Sequence, residues 1–243
     1  LMSEALLIYA KGPGICESMA TPRAFSEFVE WLDVQNTESA EKHWRELLSG
    51  FKAPSRLPFD ARHGKPQAGL QRELMMPAES TEQITKIARA ERLTLNSVAL
   101  GAWAMLLARH AKVDDVVFGG TLSGRPSTFE GADQVAGLFI NTLPLRIRFG
   151  RESDCVSWLR NIQSQQLAIQ GLEQTPLVSV QKWSEIPAGE SLFESSVVLE
   201  NFAKDSARAV TGGGVPLSAE HDRGFGRYPR AGGGGAGDRG RGG

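Results

Sequence analysis

Asp114-Asp115-Val116-Val117-Phe118-Gly119-Gly120-Thr121-Leu122-Ser123-Gly124-Arg125-Pro126 is followed, after a short linker, by Gly137-Leu138-Phe139-Ile140-Asn141-Thr142-Leu143-Pro144-Leu145-Arg146-Ile147-Arg148. Two apolar runs of strand length are each tied to a small polar cluster, Ser-Gly-Arg-Pro in one and Asn-Thr in the other. A strand that ends in glycine and then arginine lets the backbone turn sharply while a fixed cation points back across the sheet. The pair points to a cleft at one end of a sheet.

Outward from this stretch, helix and strand signals alternate from residue 69 to about 202. Leu70 to Met76 has strand character, and Glu79 to Glu91 is a helix with Ile84, Ile87 and Ala88 inward. Leu95 to His110 is apolar almost all round, the pattern of a helix buried on most faces at the centre of a domain. Val116–Leu122 and Phe139–Phe149 are strands. Ser153 to Gly171 is a helix with Ser153 as N-cap and Gly171 as its stop. Phe193 to Glu200 alternates apolar and polar, as a half-buried strand does. This order predicts an α/β (α+β layered) domain.

Residues 1–62 read as helices instead. Leu6, Leu7 and Ile8 open the chain, Lys11-Gly-Pro-Gly14 breaks the first helix, and Phe25, Phe28, Val29 and Leu32 recur at helical spacing. Trp44, Leu47 and Leu48 follow before Gly50. At the other end, residues 203–243 are rich in glycine and arginine, with seven basic and four acidic residues and few apolar ones. Such a segment cannot bury enough apolar surface to offset its ordering entropy, so disorder is expected there.

The 243 residues are 41% apolar and 23% charged, with a formal net charge of -1. That is an ordinary globular composition, and near-neutrality argues against a nucleic-acid partner for the body of the chain. No apolar run approaches the roughly 18 residues of a membrane span. Cys16 and Cys155 match no metal spacing and read as reduced thiols of a cytoplasmic protein.

Five blocks in order resemble the condensation domains of nonribosomal peptide synthetases. Leu1 to Tyr9 resembles the helix that follows the family's active-site motif. Phe25-Ser-Glu-Phe28-Val-Glu-Trp31 resembles its aromatic Tyr-x-Asp-Tyr-x-x-Trp block, and Trp44-Arg45-x-Leu47-Leu48-x-Gly50 its Trp-x-x-x-Leu-x-Gly block. Gly137-Leu-Phe139-Ile-Asn141-Thr142 is close to Gly-x-Phe-Val-Asn-Thr, and Leu192-Phe193 through Glu200-Asn201-Phe202 to Leu-Phe…Glu-Asn-Tyr.

The resemblance implies a chloramphenicol-acetyltransferase-like, two-lobed fold, with residues 1–62 a remnant of the N-lobe and 63–202 an incomplete C-lobe. It implies amide-bond formation between substrates tethered to carrier proteins. The partners implied are peptidyl or acyl carrier proteins and adjacent synthetase domains, without nucleic acid or membrane. The family binds no cofactor directly and uses the phosphopantetheine arms of its partner carriers; no metal is implied. The family's His-His-x-x-x-Asp-Gly signature is absent from these residues: His43, His63, His110 and His221 are all isolated. No catalytic residue is therefore assigned, and the chain reads as a fragment expected not to catalyse condensation alone.

Ser123, Arg125, Asn141 and Thr142 are the expected cleft-supporting residues. Arg125 either satisfies a strand-end carbonyl or pairs with Asp114 or Asp115; in the family it pairs with the signature aspartate, whose absence here would leave it unpaired or solvated. Asn141 caps a strand or lies in the cleft floor, and Ser123 is a turn former with no neighbouring histidine to activate it. His110 suits the C-terminal dipole of its helix. Two other readings stay open, an epimerisation or cyclisation relative and a non-catalytic carrier-docking module. Phe139-Ile-Asn141-Thr142 favours condensation over the first. The tail departs from the family, and its amino acids fit either a reading-frame slip in a GC-rich gene or a Gly/Arg-rich arm for anionic partners.

Overall fold

The computed structural model describes residues 2–19, 21, 23–56, 72–126, 128–150 and 154–199. The expected tail, His63 and His221 lie outside them, as does Leu70 at the head of the expected first strand. The described chain runs α1 (Met2–Lys11), a 3-10 helix (Pro13–Ser18), α2 (Phe25–Asp33), α3 (Glu38–Leu48), α4 (Ala78–Ala90), α5 (Leu95–Ala111), β1 (Asp115–Leu122), β2 (Asn141–Arg148), α6 (Cys155–Ile169), α7 (Leu177–Trp183) and β3 (Ser196–Val197).

The sheet has the order β2-β1-β3. β1 pairs antiparallel with β2 from Asp115↔Arg148 to Leu122↔Asn141, and parallel with β3 at Gly119↔Ser196 and Gly120↔Val197. The Gly119 N–H donates to Ser195 O at 2.8 Å, away from β2. Its cross-strand partner Pro144 therefore falls at a pair that exchanges no hydrogen bonds, where a missing N–H costs the ladder nothing. The Val117 N–H points the same way and donates to the Ser55 hydroxyl at 3.0 Å.

β1 and β2 are buried on both faces because helices cover each side. Val116, Val117, Phe118, Leu143, Leu145 and Ile147 join Leu100, Ala104 and Leu107 of α5, Ile162 and Ile169 of α6, and Val180 of α7 in one core. Trp44 and Leu48 of α3 belong to that same core. α2 feeds a smaller aromatic cluster, in which Phe28 meets Phe129, Ala132, Val135 and Phe139. Phe28 and Phe139 rings lie 4.4 Å apart, and Phe25 meets Phe139 edge-on at 5.4 Å. α2 and α3 thus pack onto the sheet domain and its loops.

Several expectations are corrected. Arg72 to Met76 forms no strand: among the described residues no neighbouring strand receives it, and Leu74 and Met75 are almost fully exposed. β2 starts at Asn141, because Phe139 leaves the sheet line to enter the aromatic cluster. Of the last expected strand, only Ser196–Val197 forms among the described residues, the part that β1 reaches, and Glu200 lies outside them. α5 buries one face only: Ser97, Leu100, Gly101, Ala104 and Leu107 are inward while Leu95, Met105 and Leu106 are exposed. The cap of α6 is Asp154, whose carboxylate accepts from the Val156 and Ser157 N–H groups at 3.0 Å each, and Gly171 after the helix has φ +88°.

Candidate functional site

β1 and β2 end together: Leu122 pairs with Asn141 and Thr121 with Thr142. All four expected cleft-supporting residues, Ser123, Arg125, Asn141 and Thr142, are at or just beyond this end. Gly124 turns the chain out of β1 with φ +64°. A Cβ there would lie 1.7 Å from the Phe139 carbonyl oxygen, so only glycine lets the two motif segments touch.

Arg125 has partners. Its Nη1 donates to the carbonyl oxygens of Ala132 and Val135, the latter at 3.1 Å, and its guanidinium carbon lies 4.2 Å from the Phe139 ring centroid. The expectation of an unpaired Arg125 is corrected by this geometry, while its side chain stays exposed to solvent. From its exposed position the cation braces the loop between β1 and β2, through loop carbonyls in place of the strand-end carbonyl expected. Asp115 is committed elsewhere, to Arg146 at 2.7 Å.

Asn141 acts as a two-sided clamp. Its Nδ2 donates to the carbonyls of Glu173 at 2.8 Å and Thr175 at 2.9 Å, while its Oδ1 accepts the Thr142 N–H at 2.9 Å. That ties the segment before α7 to the head of β2. The Thr142 hydroxyl meets that of Thr121 at 3.2 Å across the strands. Ser123 is exposed on the turn. Burial pushes the Glu173 carboxyl above its ordinary range.

Sequence reading missed Arg146. It is 4% exposed and makes a forked contact to Asp115, and its Nη1 donates to Leu47 O at 2.9 Å and Ser49 O at 2.6 Å at the end of α3. Its guanidinium lies 5.4 Å from the Phe51 ring centroid. The available signal was a lone charge between Leu145 and Ile147 in a strand otherwise apolar on both faces. The Glu173–Thr175 segment was missed as well, because only the Asn141 clamp brings it to the motif.

The arrangement supplies shape and hydrogen-bond donors but no paired imidazoles. His43 is half-buried on α3, edge-on to Trp44 at 5.1 Å, and His110 is exposed in the last turn of α5. Among the described residues, no group of three His, Cys, Asp or Glu side chains is placed to hold a metal ion, and no helix is long and apolar enough to cross a membrane.

The sequence profile of the family described as the condensation domain matches residues 1–219. One of the linear gramicidin synthase proteins of Brevibacillus parabrevis is 39% identical over 188 residues, covering 76% of this chain and 4% of that protein. Chondramide synthase of Chondromyces crocatus is 37% identical over 196 residues, 80% of this chain and 5% of that protein. The chain thus spans only a few per cent of the length of such relatives. Among solved structures, holo T3CT superposes with a TM-score of 0.54 at 22% identity, covering 75% of this chain and 39% of that one. The X-domain from teicoplanin biosynthesis gives 0.52 at 16% identity, over 70% of this chain and 39% of that one. At those identities the likeness speaks for the fold, the chloramphenicol-acetyltransferase-like fold of condensation domains. With the profile match and both motif segments meeting at one end of the sheet, this chain belongs to the condensation-domain family.

Proposed function

We propose that this chain forms one wall of a condensation site in a nonribosomal peptide synthetase, where the amine of one carrier-bound substrate attacks the thioester of another. In that reaction a C–N bond forms, the C–S bond breaks, and a proton leaves the attacking amine. The observation that carries the reading is the double brace at the end of β1 and β2. Arg125 and Asn141 hold the Ser-Gly-Arg-Pro turn, the Asn-Thr strand head and the Glu173–Thr175 segment together. Such pre-set backbone is what an entering thioester arm needs for orientation. The proton acceptor is not among Ser123, Arg125, Asn141 and Thr142. None of the four is a base at neutral pH, so their role is support.

In this reading the partners are carrier proteins, whose phosphopantetheine arms bring both substrates, and the neighbouring synthetase domains. The packing of α2 and α3 supports placing the start of this lobe near Phe25 rather than residue 63. A second reading, a carrier-docking module without catalysis, is favoured by the isolated positions of all four histidines.

Residues 25–199 grafted in place of the matching segment of a gramicidin-type condensation domain test the proposal. Dipeptidyl thioester formation from two loaded carriers is expected from the graft. Supplied alone, the 243-residue chain is expected to give none above a protein-free control. A folded graft that binds carriers but forms no product would overturn the reading in favour of docking.

A further inference from the structure

Among the described residues, four buried side-chain polar atoms have no hydrogen-bond partner: His43 Nε2, Trp44 Nε1, Gln165 Oε1 and Gln174 Nε2. Buried donors are normally paired, so each such atom asks for a reason. Gln174 stands apart by position. It sits between Glu173 and Thr175, whose carbonyls both accept from Asn141, so its backbone is held on either side. Its Nε2 lies 3.4 Å from where a Cβ of Gly124 would stand, and the Phe139 carbonyl oxygen lies 1.7 Å from the same point. The spare donor therefore abuts the Ser123–Pro126 turn, with a carbonyl close by to which it makes no bond.

A fixed backbone thus holds a spare N–H against a turn that carries several backbone carbonyls. We propose that Gln174 is a positioning residue of the condensation site, acting through the Ser123–Pro126 turn. Its donor is held back in the free chain and taken up by a backbone carbonyl when a thioester-bearing arm seats beside that turn. The free state carries the cost of an unmet donor, and the bound state recovers it, so seating is favoured. The inference rests on the condensation reading.

The test uses the full chain, labelled with nitrogen-15, and a small probe, the glycine thioester of N-acetylcysteamine. The Gln174 side-chain amide signals are identified by their loss in Gln174→Met. They are expected to move downfield and saturate with the Gly124 and Thr142 backbone amides as probe is added. Gln174→Met is expected to bind the probe at least ten-fold more weakly while melting no lower than the parent, since it removes only an unmet donor. Gln174→Asn would recover part of the affinity if its amide reaches the turn.

Saturating shifts at Gly124 and Thr142 with Gln174 unmoved would overturn the inference and leave the condensation reading standing. Shifts nowhere along the turn would overturn both. A Gln174→Met chain that melts well below the parent yet binds the probe unchanged would mark Gln174 as merely structural.

Discussion

Replacing Arg146 by methionine removes the buried cation that ties β2, β1 and the end of α3 together, while the exposed Arg148 beside it keeps longer contacts, 3.5 Å each, to Asp115 and the Ser49 carbonyl. Methionine keeps most of the apolar stem, so the loss is chiefly polar. Asp115 loses its forked partner, the Leu47 carbonyl loses its donor, and the Ser49 carbonyl keeps only the long bond from Arg148. Breaking a buried ion pair by removing one member costs roughly 3–5 kcal/mol. Here Asp115 is 36% exposed and Arg148 stays 3.5 Å from its carboxylate, so water and that second cation take up part of the charge. The expected loss is therefore about 3 kcal/mol, at the lower end of that range. For a domain of this size that corresponds to a fall in Tm of roughly 6–12 °C.

Urea unfolding of the parent, Arg146→Met, Asp115→Asn and the double variant measures it, with m unchanged. The two single losses are expected to overlap, giving a coupling of roughly 1–3 kcal/mol in the double-variant cycle. Arg146→Lys keeps the charge but reaches either the carboxylate or the carbonyls, so it recovers less than half of the loss. A loss below about 1 kcal/mol with no coupling would refute the reasoning, since it would equal an ordinary single hydrogen bond.

Arg125→Ala is expected to cost about 1–2 kcal/mol, from two backbone acceptors and the stacking on Phe139; denaturation that finds no more than a surface substitution's effect would count against the brace. Gly124→Ala and Gly171→Ala, both at positive φ, separate strain from collision. At Gly171 nothing lies within 4 Å of a new Cβ, so about 1 kcal/mol of backbone strain is expected, whereas Gly124 adds a collision with the Phe139 carbonyl and should lose clearly more. Equal melting shifts would refute the contact. Burial holds the His43 imidazole below its ordinary pKa, with Glu46 pulling weakly the other way. The unfolded chain therefore takes up that proton at higher pH than the folded chain does. The contribution to stability is whole above about pH 6.5 and is lost as pH falls from there through the depressed folded value. His43→Gln should flatten the fall in unfolding free energy as pH is lowered from about 7.5 to below about 6.5, and an unchanged fall would exclude His43 as its source.

Legibility in the sequence followed how local each determinant is. β1 and α6 are readable because continuous apolar runs and helical spacing are properties of neighbouring residues, and the Gly-Arg turn announces itself by composition. Arg72 to Met76 and Phe193 to Glu200 carry strand chemistry, but a strand exists only where a partner receives it, and that depends on distant chain. α7 escaped notice because seven residues after Pro176 show barely two turns of periodicity. For the candidate site, the four expected residues do meet at one sheet end. Their partners were hidden because Ala132, Val135, Glu173 and Thr175 act through backbone carbonyls, which every residue carries and no side chain advertises.

Pro144 has a consequence beyond tolerating its own missing donor. Along β2, Asn141, Leu143 and Leu145 turn their N–H groups toward β1, while that of Thr142 is spent on the Asn141 side chain and Pro144 has none. From 141 to 145 the outer margin of the sheet is thus made of acceptors alone. A second strand laid along it could give hydrogen bonds but receive none, and would gain at most half the bonds of a full pairing. This margin is a poor template for another copy, so a sheet whose strand cores are apolar on both faces is guarded against fibrous growth from that side.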